Sequence, residues 1–311
     1  MANRTKKQHY IPQFLLRNFR IVGEDQLWVF DKRTSKAYKS PVRDVASERY
    51  YYDAKIEDGL TISFESRLGK IEADAAPVIA TLVEHEDLTR MTPDEQAAVV
   101  VFLVAQIVRG KAWRASMAQA YDLLCEKLGG KEKAIFAGVP EQSEDEEKLA
   151  QLIDLPKTIK EYAPALLNKV WALQKTRSNQ FLFIGDEPVV RQNSTPTEGV
   201  IGNRGLACDG IEIYLPLTPH LTLALLCPTL VAPVEAASTL PGAAGFEAER
   251  LLQSMKTGKP FLLTPANVTR LNALQVVHAE RFIMSQRADF LQVEEMIRER
   301  PELRSTPRYV A

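Results

Sequence analysis

Paired cysteines are missing from this chain. Cys125, Cys208 and Cys227 are odd in number and widely separated among 311 residues, which excludes a disulfide framework and zinc-type spacing and points to a reducing, cytoplasmic setting. The phosphate loop GxxxxGK, the dinucleotide fingerprint GxGxxG, the HExxH helix and the GxSxG elbow are also absent. Nucleotide kinases, dinucleotide oxidoreductases, zinc peptidases and serine hydrolases are therefore disfavoured. A D…ExK nuclease core fails as well, because Glu212 is followed by Ile213 and Tyr214 with no lysine. Long apolar runs are lacking: AAVVVFLVAQIV, at 97–108, is too short to span a bilayer and reads as a buried helix. The opening MANRTKKQHYIP carries charge with no apolar stretch behind it, unlike a secretory signal.

Net charge is also nearly absent, at −1 overall, which predicts no general affinity for anionic membranes or nucleic acid. Its distribution is uneven. Up to residue 43 the chain has ten lysines and arginines against three acidic residues, a local excess of +7. This basic N-terminal segment is the feature expected to recruit a nucleic acid or nucleotide through its phosphates.

A hydrophobic share of 45% is ample for a sizeable core. The chain is expected to form one intimately packed domain over residues 1–311. Pro12 suits a first helical turn, so PQFLLRNF reads as a short helix. QLWVF and KAYKS, joined by DKRTS, read as a β-hairpin. Phe64, Leu68, Ile71, Ala75, Val78 and Leu82 recur at spacings of three and four, predicting a helix over about 61–83. TPDE at 92–95 is a capping-box start for a helix running through Trp113 toward Leu128. Residues 129–148, with their acidic run, read as an exposed connection, and 156–176 as a further helix. FLFIGDEPVV reads as a strand broken by a turn, IEIYLPL and LTLALLC as a second hairpin, and FEAERLLQSMKTG and TPANVTRLNALQVVHAE as helices; RFIMS fits a strand or a helix end. Helices come mostly first and strands later, without steady alternation. That order predicts an α+β fold: a short N-terminal helix and hairpin, a central helical bundle, then antiparallel strands with two or more helices.

Several polar residues interrupt these apolar elements. Gln13 and Arg17, four apart, share one helix face behind His9. Gln106 and Arg109 project from the most apolar helix. Asp186 sits in a Gly-Asp-Glu-Pro turn at a strand end, and Asn272 and Gln275 share a face of a late helix. Isolated buried polar groups are costly unless they satisfy one another. His9, Gln13, Arg17, Gln106, Arg109 and Asp186 are therefore expected to gather, with Asp186, aided by Glu72, neutralising the two arginines. His9, Asp186 and Arg109 are the catalytic candidates; Gln13, Arg17, Gln106 and Asn272 are the binding candidates. Glu65 and Glu72, seven apart, lie on one side of their helix and are weak metal candidates; a divalent metal is compatible with them, but no ligand motif supports one. Trp113 reads as core, His220 and His85 as turn or surface residues, and His278 as either core or site.

The segments HYIPQFLLRNF, ESRLGKIE, QIVR, FLFIGDEPVV, YLPLTPHLTLAL and RLNALQVVHAERFIMS, in that order, resemble the mainly bacterial family catalogued as domain of unknown function 4238. The likeness covers nearly the whole chain. Members usually carry Ser-Asp-Asn-Pro where Gly185-Asp186-Glu187-Pro188 stands here, and often Pro-Leu-Ser-Pro where Pro216-Leu217-Thr218-Pro219 stands; Asp186 is shared. The resemblance implies kinship of fold and brings no established reaction.

Residue chemistry leads to one functional expectation: a nuclease or nucleotide hydrolase of defence or toxin type, cleaving phosphodiester or phosphoanhydride bonds with a His/Arg/Asp cluster. The alternative is a non-catalytic module binding a small anionic ligand or a partner protein.

Overall fold

A computed structural model describes residues 7–55, 61–138, 144–193, 195 and 205–305. Arg4 and Lys6 of the basic opening and residues 139–143 of the acidic connection lie outside the described residues. The N-terminal part contains β1 (Lys7–His9), α1 (Gln13–Arg17), β2 (Gln26–Asp31), β3 (Lys36–Pro41), β4 (Ser47–Arg49), β5 (Asp53–Lys55) and β6 (Thr61–Ser63). The helical part follows with α2 (Glu65–His85), α3 (Pro93–Val108), α4 (Lys111–Lys127), α5 (Lys131–Phe136), α6 (Glu144–Ile153) and α7 (Leu155–Leu167). Then come β7 (Val170–Lys175), β8 (Ile184–Gly185), β9 (Val190–Asn193), β10 (Ile211–Thr218) and β11 (Leu221–Leu226). The chain continues through α8 (Val231–Ser238), α9 (Ala243–Thr257), β12 (Phe261–Leu262), α10 (Pro265–His278), β13 (Phe282–Ser285) and α11 (Leu291–Glu299). The fold is mixed α+β.

Two larger sheets organise most of these strands, beside the two-stranded pairs β1–β4 and β5–β6. One has the order β12-β7-β11-β10-β9, antiparallel except for the parallel β12–β7 pair; the other, β3-β2-β13-β8, is antiparallel throughout. Alternation along a strand sends neighbouring side chains to opposite faces. In the larger sheet Trp171, Leu173, Ile213, Leu215, Leu223 and Leu225 enter the main core with α1, α2 and α3. Ala224, Leu226 and Tyr214 face the other way, toward Leu251, Leu263, Val268 and Leu271 of α9 and α10 and the segment between them. Both faces are thus covered, which explains why β11 is buried at every position and apolar at all but Thr222.

Local signals act as the sequence predicts at several boundaries. Thr92 and Glu95 form a reciprocal capping box at the start of α3, with Thr92 N–H donating to Glu95 Oε2 at 2.8 Å. The two hairpins pair in register, and RFIMS becomes β13 at the centre of the smaller sheet.

Four expectations need correction. The helix expected to run from 92 toward Leu128 breaks after Val108 and restarts at Lys111, with a bend of 59°; Gly110 at the break lets the Glu187 carboxylate approach where a Cβ would stand. The segment 170–175 is a strand between β12 and β11, because its alternate side chains are claimed by cores on both sides of the sheet. Residues 61–63 pair with β5 before α2 begins. The acidic connection is partly helical, as α5 and the start of α6. Among the described residues no single helix is long and apolar enough to cross a membrane.

Candidate functional site: a cleft between α1 and α2

The N-terminal helix packs through Leu15 and Leu16, both fully buried, and leaves Gln13 and Arg17 on its outer face. Opposite them runs α2, whose Leu68, Ala75, Val78, Ile79 and Leu82 enter the core while Glu65 and Glu72 flank that stripe. Between the helices lies a cleft of about 390 Å³ lined by His9, Gln13, Arg17, Glu65 and Glu72 over Phe14, Leu68 and Ala73.

One line of hydrogen bonds crosses the α1 wall. Arg17 Nη2 donates to Gln13 Oε1 at 2.9 Å, Gln13 Nε2 lies 3.5 Å from His9 Nδ1, and His9 Nε2 donates to the Arg43 carbonyl at 3.2 Å. This pattern assigns the proton to Nε2 and leaves Nδ1 as the acceptor. Burial lowers the His9 pKa below its ordinary value, so the ring is neutral at neutral pH. Its backbone is pinned by Tyr52, whose hydroxyl donates to the His9 carbonyl at 3.0 Å, and the next residue by Gln106 Nε2, which donates to the Tyr10 carbonyl at 2.8 Å.

Beneath the opposite wall lies Arg109, 2% exposed. Its Nη1 donates to Glu72 Oε1 at 2.5 Å, its Nη2 to Gln106 Oε1, and its carbonyl accepts from Tyr51 Oη at 3.2 Å. The Arg109 Nε is buried with no partner. Glu72 is thereby paired with a buried guanidinium. Glu65, with no such partner, loses water contact and feels the Glu72 charge, and its carboxyl is pushed up to about 7. A carboxyl pushed up into the neutral range in an open cleft is a pattern typical of acid–base sites.

Charge around this region is mostly spent. Lys7 and Arg43 face Asp44, Arg20 faces Asp25, Arg33 faces Glu280 and Lys39 faces Glu24. Lys32 is fully buried, donating to the Val276 and Ala279 carbonyls at the end of α10. Burial lowers its ammonium to about 8. Among the described residues, most of the basic excess of the N-terminal segment is therefore paired locally; Arg17, exposed and bonded to Gln13, has no carboxylate partner among them.

The expected gathering is realised for His9, Gln13, Arg17, Gln106 and Arg109, with Glu72 joining them. It is corrected for Asp186. That carboxylate accepts the backbone N–H groups of Glu280, Arg281 and Phe282 at 2.7, 2.8 and 2.9 Å, so it fastens the turn between α10 and β13 and does not pair with either arginine. Three N–H donors in one tight turn satisfy a carboxylate locally, whereas Arg109 finds its partner one helix away in Glu72. Asn272 is similarly engaged: its Oδ1 accepts from Phe183 N–H at 2.8 Å and its Nδ2 donates to the Phe181 carbonyl at 2.9 Å. Gln275 does the same for Gly185 N–H and the Pro188 carbonyl. Both hold the 181–188 segment against α10, away from the cleft. His278 is buried and bonded to the Leu274 carbonyl, His220 sits in a turn beside Thr176, His85 is exposed, and Trp113 packs edge-on against Tyr162. Among the described residues no three His, Cys, Asp or Glu side chains are grouped so as to hold a metal ion.

Three contributors are not evident as such from the sequence. Tyr51 and Tyr52 brace Arg109 and His9, and the run Tyr50-Tyr51-Tyr52 was their visible signal. Glu187 bonds the N–H of Ala112 at 3.2 Å at the start of α4, with nothing local to announce a contact 75 residues away in sequence.

Residues 7–289 match the family model described as protein of unknown function DUF4238, and the chain belongs to that family. No curated protein and no solved structure matches the chain.

Proposed function

We propose that the cleft between α1 and α2 hydrolyses a phosphodiester or phosphoanhydride bond in a nucleotide or in the exposed end of a nucleic acid. His9 Nδ1 takes a proton from the attacking water, Glu65 gives its proton to the leaving oxygen, and Arg17 holds the anionic group at the rim. Glu72, neutralised from below by Arg109, leaves the floor without a free negative charge. The observation that carries this reading is the pairing, in one open cleft, of a neutral histidine with a carboxyl that titrates at about 7. Local ion pairing of the basic segment favours a nucleotide-sized substrate over a long polyanion. The scarcity of cysteine supports a cytoplasmic setting, and a bacterial origin and a defence or toxin role belong to the same proposal.

Release of phosphate or nucleotide from ATP, a dinucleotide and short RNA and DNA oligonucleotides, with and without Mg²⁺, tests it. Turnover that Glu65→Gln lowers by about 10²–10⁴-fold is expected, with Arg17→Met raising KM. Absence of turnover on every substrate would overturn the hydrolase. A second reading, a non-catalytic module for a small anionic ligand, draws on Arg17 alone, a rim cation suited to holding an anion without chemistry. Saturable pyrophosphate binding without turnover would select that reading.

A further inference from the structure

The five-stranded sheet carries a second concavity on the face turned away from the cleft. It measures about 340 Å³ and lies between the β7, β10 and β11 surface and the helices α8 and α9. Its walls are mainly Leu226, Val234, Leu251 and Leu263. The volume falls within the range of small-molecule sites, which are typically apolar with a few placed polar groups.

One such group is Gln174. The side chain is 4% exposed, lines this cavity, and its Oε1 has no hydrogen-bond partner. A buried acceptor left unmade is costly, and native proteins keep few of them. The neighbouring hydroxyl does not relieve it, because Ser254 Oγ is already directed at the Leu173 and Lys259 carbonyls at 3.3 and 2.6 Å. A donor from outside the chain would complete Gln174.

The charged groups at the rim say what kind of molecule brings that donor. Arg270 Nη1 lies 3.6 Å from Glu212 Oε2, its Nη2 donates to the Tyr214 hydroxyl at 3.3 Å, and its guanidinium covers the Tyr214 ring at 5.4 Å. Glu212 also accepts from Gln192 Nε2 at 3.0 Å, and Glu247 accepts from Asn267 Nδ2 at 3.1 Å. Arg270 and Glu212 are paired with each other and Glu247 is held by the Asn267 amide, so an ionic ligand would compete with bonds already made within the protein. We propose that this cavity binds an uncharged small molecule with an apolar body and one hydroxyl group, the hydroxyl donating to Gln174. It is a site separate from the α1–α2 cleft and stands whether or not that cleft is catalytic.

The test compares 4-propylphenol with propylbenzene, which differ only in the hydroxyl, by calorimetric titration of the full chain. Saturable binding is expected, with the phenol at least tenfold tighter, since a site with an unmade buried hydrogen bond discriminates against the analogue that cannot supply it. Gln174→Leu should reduce phenol affinity to the level of propylbenzene, and Ala248→Phe, which fills the cavity from α9, should weaken both. Independently of any variant, the Gln174 side-chain amide resonance should shift with the phenol and stay in place with propylbenzene. Lack of saturable binding, a preference that survives Gln174→Leu, or binding unaffected by Ala248→Phe would overturn the proposal.

Discussion

The carboxylate of Glu187 occupies the space that a Cβ on Gly110 would fill, and from there it accepts the N–H of Ala112 at 3.2 Å. A residue between β8 and β9 thus caps the helix that begins at Lys111, joining the late strands to the centre of the helical part. Gly110 has an ordinary backbone conformation, with φ of −71°. Closeness, not backbone freedom, is therefore what requires glycine there. Gly110→Ala should push Glu187 off the helix end and cost about 0.5–2 kcal/mol, the value of a lost N-terminal cap. In a Glu187→Ala background the same change should be neutral or slightly stabilising, because the clash is gone and the unfolded chain is stiffened. Urea denaturation of the four proteins measures the coupling.

Among the described residues, Glu72 is the only charged acceptor bonded to the buried guanidinium of Arg109. Its side chain keeps about a quarter of its surface in water. Glu72→Gln should therefore destabilise by about 3 kcal/mol, the low end for breaking a buried pair. The same denaturation assay detects it, and a change within 0.5 kcal/mol, the scale of ordinary surface substitutions, would mean that the pair contributes nothing.

Asp186→Asn presents an amide N–H₂ to a turn that offers three N–H donors. One or more of those donors loses its acceptor, at about 1–3 kcal/mol. Because Asp186 lies outside the α1–α2 cleft, the turnover number of the surviving folded protein should be unchanged. Stability by denaturation and turnover per folded molecule separate the two effects, and lost turnover at full stability would return Asp186 to the chemistry.

Two glutamates make stability depend on pH. Burial, joined by the charge of Asp186, pushes Glu187 up to about 8, and Glu65 stands at about 7. Both ionise near their usual 4.5 in the unfolded chain, so between there and the folded values the native state holds protons that the unfolded state has released. The contribution of these two groups must then fall as pH rises through that window and level off beyond about 8. Asp186, pushed up to about 6, joins the decline, and beyond about 8 the lowered ammonium of Lys32 begins to contribute in the opposite sense. Melting temperatures from pH 5 to 8.5 should show the decline, with a smaller slope in Glu187→Gln. The acid–base reading adds that turnover decreases on the alkaline side of about 7, as Glu65 ionises, and on the acid side as His9 gains its proton.

Much of this fold was legible because its signals are local. The Thr92–Glu95 capping box, the two hairpins and the α2 stripe each depend on residues a few positions apart. β7 was not legible: VWALQK follows a helical stretch, and only the sheet on both sides makes it a strand. The break at Gly110 escaped for the same reason, since its cause is Glu187, far along the chain. Of the site, the Gln13–Arg17 pair could be read from spacing on one helix, with His9 just before it. The partners of Arg109 and Asp186 could not, because a buried charge is satisfied by whichever group the tertiary fold brings near, and here those were Glu72 and a backbone turn.

Glu65 shares the cleft with neutral His9 as a carboxyl able to hold a proton at neutral pH. Carbon-13 NMR of the Glu65 carboxyl, assigned by comparison with Glu65→Gln and followed from pH 4 to 9, reads that property directly. The account predicts a midpoint at about 7; a midpoint near the ordinary 4.5 would contradict it and remove the proposed acid from the cleft.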